Sequence, residues 1–354
     1  MVDTSGEEIS FFELAQLVET AGGKVVGELV QKREKSPKFL LTKGKLEELK
    51  AICKENNAGL VVFNQDPSPS QIRNIEEELD LKVLDRTGII LDIFAQRART
   101  AEAKIQTSLA LSYYLLPRLT GRRDLSRLGG GIGTRGPGEQ KLEYDRRRIR
   151  KHISNLKKKL EGIKKEREEQ RKKRKRDFLI CSIVGYTNAG KSTLLSTLSK
   201  EDVPSFNQLF TTLDPLARKV RIGLNDIVFT DTVGFIQDLP LSLVSAFRAT
   251  LEEICESDIV LHIVDISHPY FRRQMASVEK ILEELNVTRY PRITAFNKID
   301  LLSDKTIISH LKKEIPNSTE ISALKGRGFK ELFDLFLNLI PYLKIPKEKS
   351  KIYL

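Results

Sequence analysis

Eight consecutive residues, Gly185-Tyr186-Thr187-Asn188-Ala189-Gly190-Lys191-Ser192, have the types and spacing of a phosphate-binding loop, G-x-x-x-x-G-K-S. Glycines permit a tight loop whose main-chain N–H groups converge on one anion. The positive end of a following helix dipole adds to the attraction. Lys191 would reach the outer phosphates of a nucleoside triphosphate, and the Ser192 hydroxyl would hold Mg²⁺. Thr193 follows directly and is counted with the loop. Such a loop needs a buried strand before it and a helix after it. Residues 178–184 are almost wholly apolar and bounded by charge, and residues 193–200 are good helix formers.

Further motifs follow in chain order. Asp231-Thr232-Val233-Gly234 closes an apolar strand. There Asp231 can hold Mg²⁺ through water, and the Gly234 N–H can sense a γ-phosphate. Thr211 and Thr212 lie between the two motifs. Thr212 is the preferred residue to complete the Mg²⁺ shell, which would order its loop and make a switch. Asn297-Lys298-Ile299-Asp300 selects the base. The Asp300 carboxylate can accept from guanine N1–H and the exocyclic amine, whereas adenine would leave it unmatched. Lys298 can lie against base and ribose, and Ser322-Ala323-Leu324 can present an N–H to guanine O6. In this order the motifs predict GTP and GDP as ligands. Phe235 follows Gly234, where many GTPases place a glutamine that orients the attacking water. Phenylalanine cannot orient water, so hydrolysis should be slow alone, with the water positioned by another group or a partner. Asn188 has two open readings: a ligand for K⁺ near the phosphates, as in related GTPases, or a loop cap.

The elements around these motifs give an α/β fold class. Residues 178–344 alternate strands and helices, with strands at 219–222, 227–230, 259–264, 292–296 and 320–321. A mostly parallel sheet with helices on both faces is expected. Residues 1–87 read as a small α/β domain. Its helices are at 8–19 and 44–55 and after Ser68-Pro69-Ser70, and its strands are at 24–30, 59–63 and 81–84. Residues 88–177 read as an antiparallel coiled-coil hairpin. One long helix runs from residue 89 until Pro117 ends it, and a second starts near Lys141. The second carries an apolar seam of Leu142, Ile149, Ile153, Leu156, Leu160 and Ile163. Residues 345–354 are a short tail.

Net charge is +12, and it is concentrated. Residues 141–176 hold 18 Lys+Arg against 6 Asp+Glu, and the two signs balance elsewhere. That is the footprint of a polyanion-binding surface, with Arg146, Arg147, Arg150 and Lys151 as candidate RNA contacts on the outer face of the second helix. The tip between the helices, residues 118–139, contains Gly129-Gly130-Gly131-Ile132-Gly133-Thr134-Arg135-Gly136-Pro137-Gly138-Glu139. Residues 131–136 match G-x-G-x-x-G, but no strand precedes them and no helix opens within them, so a dinucleotide site is rejected. Arg118, Arg122, Arg123, Arg127 and Arg135 punctuate this segment. It reads equally as a phosphate-gripping loop and as a linker.

With 40% hydrophobic and 31% charged residues over 354 positions, composition suits a globular protein of two or three domains. No apolar run is long enough for a membrane span, and the N-terminus has no signal-peptide pattern. Three scattered cysteines and four scattered histidines predict neither disulfides nor a zinc or iron site.

Over nearly its full length the chain resembles the HflX family of translation-factor GTPases. The resemblance rests on the glycine-rich segment from Gly129 and on the phosphate loop. It rests also on Asp85-Arg86-Thr87-Gly88 followed by Leu91-Asp92-Ile93-Phe94-Ala95-Gln96-Arg97-Ala98. Phe235 fits the family, which lacks the glutamine. The resemblance implies a GTPase, slow alone and stimulated by ribosomes, that binds chiefly the large subunit. Its N-terminal domains and glycine loop would contact ribosomal RNA near the peptidyl-transferase centre. Family members separate ribosomal subunits, often under heat or other stress, so splitting or rescue of stalled or idle ribosomes is expected. The alternative is a ribosome-assembly GTPase that splits nothing. A non-enzymatic RNA-binding module is disfavoured by the intact Lys191, Ser192, Asp231 and Asp300. A cytoplasmic monomer is expected. Some relatives carry a further C-terminal domain, and functions tied to it are not carried over to a chain ending at Leu354.

Overall fold

The computed structural model describes residues 1–4, 8–32, 36–119, 137–175, 178–200, 209–210, 216–236, 254–287, 290–304 and 306–343. The chain divides into two compact units, Met1–Glu161 and Gly162–Leu354.

The first unit opens with β1 (Val2–Asp3), α1 (Glu8–Thr20), β2 (Leu29–Val30), α2 (Lys43–Glu55), β3 (Leu60–Phe63), α3 (Pro69–Leu79) and β4 (Lys82–Asp85). The strands form one parallel sheet in the order β2-β1-β3-β4. Apolar residues at helical spacing on α2 and α3 face its core. Leu46, Leu49, Ile72, Ile75 and Leu79 join Val2, Leu29, Val61, Phe63 and Val83 in one cluster. Ser68 starts α3 through a capping box: its Oγ accepts from the Gln71 N–H, and the Gln71 side chain accepts from the Ser68 N–H. The strand expected at 24–30 shrinks to β2. Its partner β1 offers only Val2 and Asp3, and a strand extends no further than its neighbour pairs with it.

The long helix expected from residue 89 is two helices, α4 (Arg86–Arg97) and α5 (Ala101–Leu115). Ala98 is extended (φ −64°, ψ 106°), and Thr100 starts α5 as its N-cap, with Oγ1 accepting from the Ala103 N–H at 3.1 Å. Apolar spacing continues across the break: Phe94, Ala98 and Leu109 are all buried. Pro117 does end α5, inside a 3-10 turn, Leu116–Arg118. The next helix, α6 (Pro137–Lys175), begins before Lys141. Part of the expected seam packs: Ile149, Ile153, Leu156 and Leu160 of α6 cluster with Ile105, Leu109 and Tyr113 of α5 and with Leu116.

The second unit contains β5 (Leu179–Gly185), α7 (Lys191–Ser199), β6 (Leu216–Ile222), β7 (Asn225–Asp231), β8 (Ile259–Asp265) and α8 (Phe271–Glu284). It continues with β9 (Arg292–Asn297), α9 (Thr306–Glu314), β10 (Ser318–Glu320) and α10 (Phe329–Leu339). Its sheet has the order β10-β9-β8-β5-β7-β6, parallel except for the β6–β7 hairpin. Central strands are buried on both faces, and every residue of β8 is buried. Cys181, Ile183, Leu194, Phe229, Leu261, Ile293, Leu332 and Phe336 share one core. β5 lies between β7 and β8, so the chain winds away from it in both directions. The crevice beyond its carboxyl end is the switch point of the sheet.

Candidate nucleotide site

The segment between β5 and α7 occupies that switch point. Two glycines make its path possible. Gly185 has φ 154°, and an added Cβ would lie 2.3 Å from the Ile263 carbonyl oxygen. Gly190 has φ 94°, and a Cβ there would lie 2.2 Å from Asn297 Nδ2. Asn188 at φ 61° is also left-handed, a conformation asparagine tolerates better than most residues.

Lys191 opens α7 and is buried. Its Nζ donates to the carbonyls of Gly185 (3.1 Å) and Tyr186 (2.9 Å). Burial lowers its pKa to about 8, with the Asp231 charge acting the other way. The Ser192 Oγ donates to Asp231 Oδ2 at 2.7 Å, which joins the loop to the end of β7. Thr232 Oγ1 donates to the Ile183 carbonyl at 2.7 Å, a second tie between β5 and the segment after β7. Thr193 lies in the first turn of α7, where its carbonyl accepts from the Thr197 hydroxyl.

Phe235 is buried. Its carbonyl accepts from the Thr187 N–H and its N–H donates to the Gly185 carbonyl, so it pairs with Tyr186 as a parallel bridge. Gly234 lies against Thr187 and Lys191.

Asn297 ties three motifs together. Its Nδ2 donates to the Ala189 carbonyl at 2.8 Å, and its Oδ1 accepts from the Ala323 N–H at 2.9 Å. Ser322 Oγ donates to Asp300 Oδ1 at 2.6 Å, and the Lys325 N–H donates to Ser322 Oγ. Leu324 is 72% exposed. Lys298 is left-handed (φ 66°), and its Nζ pairs with Asp265 Oδ2 at 2.7 Å. Asp265 is in turn held by Ser267, through its N–H and its hydroxyl.

The structure thus brings together residues 185–193, Asp231, Gly234, Phe235, Asn297, Lys298, Asp300 and residues 322–324. Thr211 and Thr212 lie outside the described residues. Sequence reasoning missed Asp265. Its signal is an acid directly after an apolar strand, as at Asp231, but apolar character alone ends that strand at Val264. The arrangement can bind a polyphosphate against main-chain N–H groups and one buried ammonium. It can also offer a carboxylate to a base.

The same architecture occurs in a GTP-binding protein of Sulfolobus solfataricus solved with GDP. That protein is 26% identical, with a TM-score of 0.51, and the match covers 96% of this chain and 98% of that one. Family models match in series: "GTP-binding GTPase N-terminal" over residues 8–95, "GTP-binding GTPase Middle Region" over 97–174, and "50S ribosome-binding GTPase" over 180–298. GTPase HflX of Alkalihalophilus pseudofirmus is 46% identical over 348 residues, which is 96% of this chain and 82% of the relative.

The chain belongs to the HflX family of GTPases.

GTPase HflX of Escherichia coli K12 is 41% identical over 94% of this chain and 78% of its own length. As an HflX GTPase the chain binds GTP and hydrolyses it to GDP and phosphate. No helix among the described residues is long and apolar enough to cross a membrane. Of the candidate RNA contacts, Arg147, Arg150 and Lys151 are exposed on α6 and Arg146 is half-buried. Arg122, Arg123, Arg127 and Arg135 lie outside the described residues. Arg118 is 21% exposed and pairs with buried Asp85.

Proposed function

We propose that this HflX GTPase engages the large ribosomal subunit in its GTP form, separates stalled or idle ribosomes into subunits, and leaves upon hydrolysis. One observation carries the reading. A guanine-nucleotide site with a buried phenylalanine at the water-positioning place stands in one chain with a helix whose segment carries 18 basic and 6 acidic residues. A slow nucleotide clock suits a binding protein, and a basic helix suits ribosomal RNA. A ribosome-bound role also places the protein in the cytoplasm.

In this reading the N–H groups of Gly190 and Lys191 and the Lys191 ammonium hold the phosphates. The Gly234 N–H meets the γ-phosphate. Asp300, Lys298 and residues 322–324 hold guanine. Ser192 and Asp231 fit Mg²⁺: a buried hydroxyl and a buried carboxylate, 2.7 Å apart, are hard oxygen donors of the kind this ion takes. Thr212 would complete the set. Mg²⁺, when bound, neutralises charge on the β- and γ-phosphate oxygens. Asn188 supplies the only carboxamide oxygen of the loop and is the residue that would hold K⁺.

Sedimentation of mature ribosomes with the protein and a non-hydrolysable GTP analogue tests the proposal. Separated subunits are expected, together with co-migration of the protein with the large one. Deletion of residues 129–138 should abolish splitting and leave nucleotide binding intact. Ribosomes that stay whole while the protein binds precursor particles would favour the assembly role instead.

A further inference from the structure

The base-selecting segment has a partner outside its own motif. Asp265 ends β8 and pairs in register with Asn297, the last residue of β9, so it lies beside the residue that precedes Lys298. Main chain joins the two strand ends as well: the Ile266 N–H donates to the Asn297 carbonyl at 3.1 Å. One carboxylate oxygen of Asp265, Oδ1, accepts from the Ser267 N–H at 3.1 Å and from the Ser267 hydroxyl at 2.6 Å. The other, Oδ2, lies 2.7 Å from the Lys298 ammonium. The carboxylate is thus held on one oxygen and offers the other at a fixed place. Its side chain is 11% exposed, and that of Lys298 is 23% exposed.

Most surface ion pairs contribute little, because two long side chains must give up freedom in water to make them. Here the carboxylate is short, largely out of water and already fixed by Ser267, so only the lysine has freedom to lose. Lys298 also has a left-handed main chain (φ 66°), which a residue other than glycine keeps only where its surroundings hold it. Asn297 before it is tied to Ala189 and Ala323, Asp300 after it is tied to Ser322, and its own carbonyl accepts from the Leu301 N–H at 3.0 Å. The main chain at Lys298 is set by these neighbours, and the end of its side chain by Asp265. We infer that Asp265 is a positioning residue for guanine-nucleotide binding: by holding the Lys298 ammonium it sets the lysine stem ready to lie against base and ribose. The inference rests on the proposed place of Lys298 in the site. Its physical basis is pre-organisation. A stem ordered before the nucleotide arrives loses little rotamer freedom when the base packs on it, and its methylenes can cover an apolar face while the charge stays paired. Asp265 itself need not touch the nucleotide.

The test is a double-mutant cycle on the full-length chain: wild type, Asp265→Asn, Lys298→Met and the two together. Asparagine keeps the shape of aspartate and an oxygen for Ser267 to donate to, so Asp265→Asn removes the charge with little risk to the fold. Methionine keeps an unbranched stem without the ammonium. Readouts are equilibrium affinity for fluorescent GDP and thermal melting of the nucleotide-free protein. Asp265→Asn should weaken GDP on the order of tenfold, the size of ordering one rotamer-rich side chain on binding, and should melt close to wild type. Lys298→Met should weaken GDP by a similar factor, and adding Asp265→Asn to it should cost no more, because the two residues act as one unit. If Asp265→Asn binds GDP like wild type while Lys298→Met is weaker, Lys298 keeps its place against the base and the positioning role of Asp265 falls. If Asp265→Asn weakens GDP by the same factor with and without Lys298→Met, Asp265 acts by another route, through the fold or on the nucleotide, and the inference is wrong. If Lys298→Met binds GDP like wild type, the proposed place of Lys298 falls, and the inference with it.

Discussion

The Phe235 carbonyl accepts a hydrogen bond from the Thr187 N–H at 2.7 Å, so the residue after Gly234 is paired with the phosphate loop. Its side chain is 1% exposed, and a buried ring at this place cannot orient a water. Phosphate release by the isolated protein should therefore be slow, about 10⁻² per second or less. Phe235→Gln should bring no acceleration, because the amide would enter a buried apolar site. It should cost roughly 3 kcal/mol of stability instead. A glutamine variant that turned over tenfold faster with an unchanged melting curve would refute this.

Gly234 sets a preference between nucleotides. An added Cβ would lie 2.8 Å from Thr187 Cγ2 and 2.9 Å from Lys191 Nζ, so the Gly234 main chain packs closely on the phosphate loop and its lysine. If the γ-phosphate enters beside Gly234, as the proposed function has it, GTP displaces the Phe235 bridge and GDP leaves it in place. GDP should bind about tenfold tighter than a non-hydrolysable GTP analogue, the equivalent of one or two broken hydrogen bonds. Equilibrium titration with fluorescent nucleotides measures the ratio, and tighter binding of the analogue would reverse the argument.

Asp300 offers a switch of base specificity. Its Oδ1 accepts from Ser322, and the rest of the carboxylate can accept from guanine. An amide there presents a donor that guanine N1–H and its amine cannot accept, whereas xanthine has a carbonyl at that edge. Asp300→Asn should weaken GDP on the order of a hundredfold and favour xanthosine diphosphate. If the variant kept GDP and rejected xanthosine diphosphate, Asp300 would not be reading the base.

Much of the nucleotide site was legible because side-chain type and spacing carry it. A glycine pair around a loop, a lysine and serine after it, and acids closing apolar strands leave marks in a sequence. The apolar positions of α2, α3 and α6 were legible for the same reason. What escaped was carried by main chain or by pairing. The bridge of Phe235 to Tyr186 is made of backbone groups and has no side-chain signature. The break at Ala98 and the cap at Thr100 left the apolar period intact. Arg118 resembled its neighbouring arginines in type, and only the fold showed that Asp85 had claimed it.

Asn188 can be tested through the salt supplied. If its carboxamide oxygen holds K⁺ beside the phosphates, the ion adds fixed positive charge where charge develops. Turnover should then be about tenfold or more faster in KCl than in NaCl at equal ionic strength. Asn188→Ala should lose the difference. Equal rates in the two salts would leave Asn188 as a loop residue with a left-handed backbone and nothing more.

His262 supplies the pH dependence. It is buried in β8, and burial holds its pKa down at about 3, with Arg292 and Lys191 adding repulsion. The unfolded chain takes up this proton near pH 6.5, and the folded protein does so only near pH 3. Stability is therefore unaffected by His262 above pH 6.5 and declines as pH falls from 6.5 toward 3. At pH 5.5 the cost is about 1.4 kcal/mol, rising by about as much for each further unit. His262→Leu removes the titration while keeping an apolar strand residue. Denaturant melts of both proteins at pH 7.5, 6.5 and 5.5 should show the variant gaining on the wild type as pH falls. A difference independent of pH would mean that His262 is protonated in the folded state or that its surroundings open to water.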